Sequence, residues 1–464
     1  MNAKDITLRT VFMFLPSRLH ISDVIHTEYI KEIAEKYRVV VLLPTQEPDL
    51  RVDASGYFTH QNVSYHGIPH FTGKYWTLFD WLLRPECIRR FEDNPAVAWR
   101  NDNARRVDVR RRILHRVMQV LPKRLFSTDF FSFLERLTMP HRPVFNAYVK
   151  QHHPDLVLLA TPGVKLVEPY IIACAHRLGI PTVAFDFSWD NLTTYPRHVR
   201  KTKYLICWNE FHREMAKELH DYKDEQLFVA GVLRFDAYFR ALEGEESREA
   251  FLSSRGLDPK RKTLLYAARS YGTFHTDFIR AFIRWQKEGA FAESLNLFVR
   301  IHPIDPAGAY DEFLNIPNVH IGLAGTHKES TVSGPDGVET EEGDWVIKKD
   351  SIRHSDICLN LASTFSIEAF IFDKPVINVG FVPPFSGILK FPHYAPVVEA
   401  GAVRVAQKME DILTYINGYL KDPSQERQAR ADIVEKFVAP TDGFSYRRNI
   451  AFIDEIMERE YPTR

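Results

Sequence analysis

Residues 355–379 read SDICLNLASTFSIEAFIFDKPVINV. Ile357 to Leu361 is an apolar run of strand type, Ala362-Ser363-Thr364 a small-polar elbow, and an apolar-periodic helix begins near Phe365. A second short strand, entered through Lys374-Pro375, closes the stretch at Val379. Strand, tight turn, helix and strand in that order make an α/β unit, in which free backbone N–H groups at a helix start can hold a phosphate. Two readings of the hydroxyls there stay open: Ser363 and Thr364 cap the helix, as Ser and Thr often do, or they also bind an anion. The next stretch outward, Leu295 to Pro303 (LNLFVRIHP), is a buried-type strand ending in Arg300 and His302. In an open parallel sheet both stretches deliver their polar ends to one edge, because ligands gather at the carboxyl ends of the strands. A cation, an imidazole and a hydroxylated helix start meeting there suit a diphosphate or phosphodiester.

A chain of 464 residues is too long for one compact core and suits two domains of about 200 residues each. Lys plus Arg equals Asp plus Glu at 60 each, so no overall basic field recruits nucleic acid. Cys87, Cys174, Cys207 and Cys358 are scattered through apolar segments and read as reduced core thiols, with neither disulfide nor metal spacing. Val11 to Leu15 is too short for a signal-peptide core and fits a first strand instead. No apolar run reaches the length of a membrane span. The expected location is therefore cytoplasmic.

Leu8 to Leu15, a helix from about Ser22 to Lys36, and Arg38 to Leu43 give a βαβ beginning to a doubly wound sheet. His20, His26 and Glu28 fall just after the first strand, at the edge where ligands bind. From about 71 to 150 the pattern turns helical and rich in aromatics and arginine. Within it, Arg105 to Arg124 is basic and amphipathic: Val107, Leu114, Val117, Met118 and Leu121 recur at helical spacing while arginines occupy other faces. Such a helix either docks its apolar stripe on its own domain or lies peripherally on an anionic membrane. Asp155–Thr161, Pro181–Phe187, Lys203–Trp208 and Leu227–Ala230 resume the strand pattern. Asp186 to Thr193 is a polar-aromatic loop in which two carboxylates flank Trp189; it suits a sugar-binding cleft, or a capped turn.

The junction is placed near residue 240, giving an N-terminal domain over 1–240, with its helical insertion at about 71–150, and a second domain over 241–440. The second opens with Thr263 to Ala268, whose exit carries Arg269 and Ser270. Residues 326–344 read as a surface loop, and 441–464 as a terminal helix packing back on the N-terminal domain.

Two Rossmann-like domains facing across a cleft, with the phosphate machinery in the second, resemble the GT-B glycosyltransferases. Arg300-Ile301-His302-Pro303 is similar to the His-Pro motif, and Ser363-Thr364 to the paired-hydroxyl motif, of bacterial sialyl- and Kdo transferases of capsule and lipopolysaccharide synthesis. Asp442-Gly443 resembles an Asp-Gly of CDP-glycerol glycerophosphotransferases; Ser188–Asn191 and Gly231–Asp236 look like stretches of surface-polysaccharide transferases. The resemblance implies that His302, Ser363 and Thr364 contact the donor phosphate, with Arg300, Arg269 and Ser270 in support. It also implies that Glu368 binds a ribose hydroxyl. The general base then comes from the N-terminal domain, as Asp190 or His20, with Asp186 next. No Asp-x-Asp stands at a strand end, so no metal and no cofactor are expected, the nucleotide-activated donor being a substrate. The paired acidic-Gly motif of the sialyltransferases has no counterpart here. The expected activity is inverting transfer of a sugar to a hydroxyl of an envelope glycan or lipid-linked acceptor. The rivals are a CDP-glycerol-type polyol-phosphate transferase, a nucleotide-sugar 2-epimerase, and a catalytically silent glycan-binding protein.

Overall fold

The apolar runs read above become strands of two parallel sheets, each folded into its own unit. The computed structural model describes residues 8–45, 50–69, 94–96, 98–99, 106, 109–120, 133–134, 137–138, 143–163, 167–194, 200–268, 273–302, 307–322, 342–383 and 385–462. Arg269, Ser270, most of the 71–150 insertion and nearly all of the 326–344 loop lie outside them. The first unit comprises Met1–Val232 and Phe444–Arg464, the second Leu233–Gly443.

In the first unit, β1 (Thr10–Phe14), β2 (Arg38–Thr45), β3 (Val63–Pro69), β4 (Leu156–Leu159), β5 (Thr182–Phe185), β6 (Tyr204–Cys207) and β7 (Leu227–Val229) form one sheet. Its order is β3-β2-β1-β4-β5-β6-β7, and every pairing is parallel. Val39 to Leu42 and Leu156 to Leu159 are completely buried, as strands covered by helices on both faces must be, and this is why they read as unbroken apolar runs. Strand β3 escapes such a reading. It is a half-buried edge strand whose Ser64, His66, Gly67 and Pro69 interrupt any apolar pattern.

The C-terminal helix Ser445–Glu460 belongs to this unit because the unit holds it at several points. The Arg9 guanidinium donates to Met457 O at 2.6 Å and Tyr461 O at 2.8 Å. Tyr37 donates its hydroxyl proton to Asp454 at 2.6 Å, and Phe228 stacks on Phe452 with centroids 4.5 Å apart.

The second sheet runs β10-β9-β8-β11-β12-β13, from β8 (Lys262–Ala267), β9 (Leu295–Arg300), β10 (Val319–Gly322), β11 (Ile357–Asn360), β12 (Val376–Val379) and β13 (Arg404–Ala406). Both sheets start at a central strand, wind to one edge, then return to the other side of that strand. The reversal opens a crevice between β1 and β4 in one unit and between β8 and β11 in the other. Ligands of doubly wound sheets bind at such points. Cys174, Cys207 and Cys358 are buried thiols. No helix among the described residues is long and apolar enough to cross a membrane.

The helix Glu342–Arg353 has no apolar period, because part of its buried face is ionic. Lys349 Nζ lies 2.7 Å from Glu245 Oε1 and Arg353 2.6 Å from Glu245 Oε2; Arg353 also pairs with the buried Asp350 at 2.8 Å. Burial alone would raise the Glu245 carboxyl, but bonds from Lys349 and the Leu242 N–H, with the Arg353 charge, hold it below the usual range. A depressed carboxylate stabilises the fold above its unfolded-state value of about 4.3 and ceases to do so as pH falls through its folded value. The stability gap between wild type and Glu245→Gln, read by urea unfolding, should therefore narrow from pH 7 towards about pH 3. A gap independent of pH would contradict the pairing.

Candidate functional site

The second crevice is bounded by the exits of β9, β8 and β11. Ala267 stands opposite Arg300 and Tyr266 opposite Leu359, so the three strands end at one level. Arg300 and Asn360 flank β8 at about 10 Å, two strand spacings apart. His302 follows Arg300 by two residues and is half-buried. Ser363 and Thr364, also half-buried, follow Asn360.

Four side chains beneath the elbow hold it. Asn360, Ser366 and Asn378 are fully buried, and so is Tyr394. Asn360 Oδ1 accepts from the Ser363 N–H at 3.1 Å, from Asn378 Nδ2 at 3.0 Å and from the Ser366 hydroxyl at 3.3 Å. Asn360 Nδ2 donates to Ser366 Oγ at 3.0 Å, and Tyr394 donates to Asn378 Oδ1 at 2.7 Å. Closing this network puts Ala362 at φ +52°, a left-handed conformation costly for a residue with a Cβ.

Ser363 Oγ accepts from the Phe365 N–H at 3.2 Å. Its hydroxyl thus closes a local turn just before the helix, whose N-cap Thr364 makes no side-chain cap bond, while keeping its own proton to donate. The helix itself, Phe365–Ile371, has only seven residues, so side chains rather than a long helix dipole must supply most of an anion's stabilisation.

The helix that follows the elbow also carries a charge pair that the sequence reading did not single out. Lys348, on the helix Glu342–Arg353, places Nζ 2.7 Å from Oε1 of the buried Glu368 and 5.3 Å from the Trp345 ring centroid. Glu368 is therefore engaged by a cation, and a ribose hydroxyl would have to share it. Burial pushes the Lys348 ammonium down; Glu368 opposes this, while Arg300 and Arg234 add to it. Burial likewise lowers the Arg300 guanidinium, against the pull of Tyr238, Asp344 and Glu368. Three cations thus interact with two carboxylates, and each of the two shifted cations would regain ground if an anion arrived. Helical periodicity could not have found Lys348; the tryptophan beside paired lysines in Trp345–Lys349 was the available signal.

In the first unit His20 follows β1 and is buried. It lies in the helix Arg18–Val24 rather than on a loop; its Nδ1 is 2.6 Å from Ser17 Oγ, and Phe187 meets the ring edge-on at 5.1 Å, which joins that helix to the loop after β5. Asp186 is sealed inside: its Oδ2 lies 3.3 Å from Nδ1 of the equally buried His212, whose Nε2 is 3.1 Å from Trp189 O. Asp190 is half-buried. It accepts from the Ser188 hydroxyl and weakly from Thr194 at 3.4 Å, so it closes its own turn. Trp189 is buried within the loop. Gly443, at φ +74°, packs so closely that a Cβ would meet Arg240 Cγ at 2.8 Å.

Two parallel sheets of the same winding order, in one chain, match solved structures over nearly their full length. The fold is of the GT-B type. The UDP-GlcNAc 2-epimerase from Neisseria meningitidis, solved with UDP-GlcNAc, superposes with a TM-score of 0.51 at 11% identity over 96% of this chain and all (100%) of that one. The UDP-GlcNAc 2-epimerase from Methanocaldococcus jannaschii gives 0.52 at 12% over 96% and 99%. A variant of the wall teichoic acid polymerase TagF gives 0.53 at 10% over 98% and 90%. No family model matches the chain, and no curated protein matches it in sequence. At such identities the likeness is one of GT-B architecture, and function must be argued from the site.

Proposed function

We propose that the second unit binds the diphosphate of a nucleotide-activated donor, and that the chain transfers the donor's sugar to a hydroxyl of an envelope glycan or lipid-linked acceptor. What supports this reading is the common level at which β9, β8 and β11 end, which brings Arg300 and His302 to the same crevice as the Ser363 and Thr364 elbow, with the Lys348 ammonium paired to Glu368 of the helix that follows. The bond from the sugar's anomeric carbon to the phosphate oxygen breaks, and the nucleotide leaves with the electron pair. His302 and the two hydroxyls donate to its oxygens as charge grows. The acceptor oxygen forms the new bond from the opposite side and gives its proton to a base. The candidates for that base are Asp190 and His20, with Asp186, which is paired with the buried His212, next. The phosphate groups are met by cations and hydroxyls, so activity is expected to survive EDTA.

Epimerisation at C2 of the same kind of donor is the second reading. It uses the same diphosphate grip, and two of the superposed structures are 2-epimerases of UDP-GlcNAc. A thermal-shift series with CMP, CDP, UDP and GDP comes first, since a ligand at 100 times its Kd stabilises the native state by about 2.7 kcal/mol. One of them is expected to raise Tm by several degrees. If none does so at millimolar concentration, the donor site is refuted. The matching nucleotide sugar, incubated alone with the protein, should then give at most slow hydrolysis. Appearance of an isomeric nucleotide sugar would replace transfer by epimerisation.

A further inference from the structure

The helix Val109–Val120 turns an apolar strip to solvent. Val109 is 57% exposed, Ile113 58%, Val117 52% and Val120 85%. At 3.6 residues per turn these four fall within an arc of about 80°. Arg110 borders the arc on one side and Arg112 and Arg116 on the other, all three exposed. This is a different strip from the one expected on sequence, with which it shares only Val117. Six of the ten large apolar residues exposed among the described residues fall here and at Phe133 and Leu137 shortly after. The concentration is thus local rather than the usual scatter.

Charge is as unevenly placed. The whole chain has equal numbers of acids and bases, yet residues 105–124 carry seven arginines and one lysine against the single Asp108. Nucleic acid would satisfy the arginines but has no use for a strip of valine and isoleucine. A bilayer with anionic headgroups satisfies both, since the strip reaches the acyl boundary while the flanking arginines lift their guanidinium groups to the phosphates.

We propose that this helix is a peripheral docking surface for an anionic membrane, lying in the plane of the interface with Val109, Ile113, Val117 and Val120 inward. The inference does not depend on the donor site: it needs no nucleotide and no turnover.

The test is co-sedimentation of the full chain with vesicles of phosphatidylcholine alone or containing 30% phosphatidylglycerol. Binding is expected only to the anionic vesicles. Each arginine near the surface contributes about fivefold in affinity, the equivalent of 1 kcal/mol, so Arg110→Glu/Arg112→Glu/Arg116→Glu should weaken binding by at least about 100-fold. High salt should weaken it as well. Ile113→Asp/Val117→Asp should weaken it even at low salt, which a purely electrostatic adsorption would not show. Unchanged Tm and an unchanged far-UV circular dichroism spectrum would establish that both variants are folded. No binding to anionic vesicles at low salt, or binding indifferent to both variants, overturns the proposal. So does a concentration-dependent dimer that these variants abolish in the absence of lipid, which would give the face to a second copy of the chain.

Discussion

Replacing His302 by alanine is expected to lower turnover by about two orders of magnitude or more, the usual loss when a donor aimed at developing charge is removed. The expectation rests on place as well as residue type. His302 stands two positions beyond the last residue of β9, half-buried, at the crevice that also receives Ser363 and Thr364. A leaving nucleotide gains negative charge on its bridging oxygen, and a fixed N–H aimed there acts in the transition state more than in the ground state. The effect should therefore fall on kcat rather than on KM, with Tm unchanged. His302→Gln, which keeps a donor of similar reach, should recover part of the loss. A folded His302→Ala variant at near-native rate would remove the imidazole from the mechanism.

The second large effect is expected beneath the elbow. Asn360→Ala should cost about 1–3 kcal/mol of stability, the usual loss when a buried hydrogen-bonding partner is removed. The Ser363 N–H loses its acceptor, and the Asn378 amide keeps only a longer bond to Ser366 Oγ at 3.3 Å. The same change should weaken nucleotide binding by more than its stability cost explains, since Ala362 would be free to leave its left-handed conformation and take Ser363 and Thr364 with it. Urea unfolding measures the first effect and calorimetric titration with the nucleotide the second. Lost stability with unchanged nucleotide affinity would make the network a matter of folding alone.

How far the sequence could be read follows from what each segment buries. Strands such as Val39–Leu42 and Ile357–Asn360, covered on both faces, announce themselves as apolar runs, and their alternation with helices gives the α/β class and the parallel order. Where burial is shared with charge, the pattern disappears. The helix Glu342–Arg353 buries Lys349, Asp350 and Ser351 along with Trp345 and Ile352, so no 3.6-residue apolar period survives to mark it, and Lys348 went unseen with it. The placement of Arg300, His302, Ser363 and Thr364 at strand exits was legible, because polarity after an apolar run is itself a signal. Arg269 and Ser270 lie outside the described residues. The carboxylates were harder, since Asp and Glu look alike in sequence whether free or paired. Only coordinates place Asp186 against His212, Asp190 in its own turn and Glu368 on Lys348.

The central claim is that one crevice, between β8 and β11, grips a nucleotide diphosphate. A crystal structure with the nucleotide chosen by thermal shift tests it most directly. Phosphate oxygens should lie within hydrogen-bond reach of the His302 ring and of the Ser363 and Thr364 hydroxyls, with Arg300 and Lys348 alongside. A nucleotide bound with its phosphates away from these side chains would contradict the account.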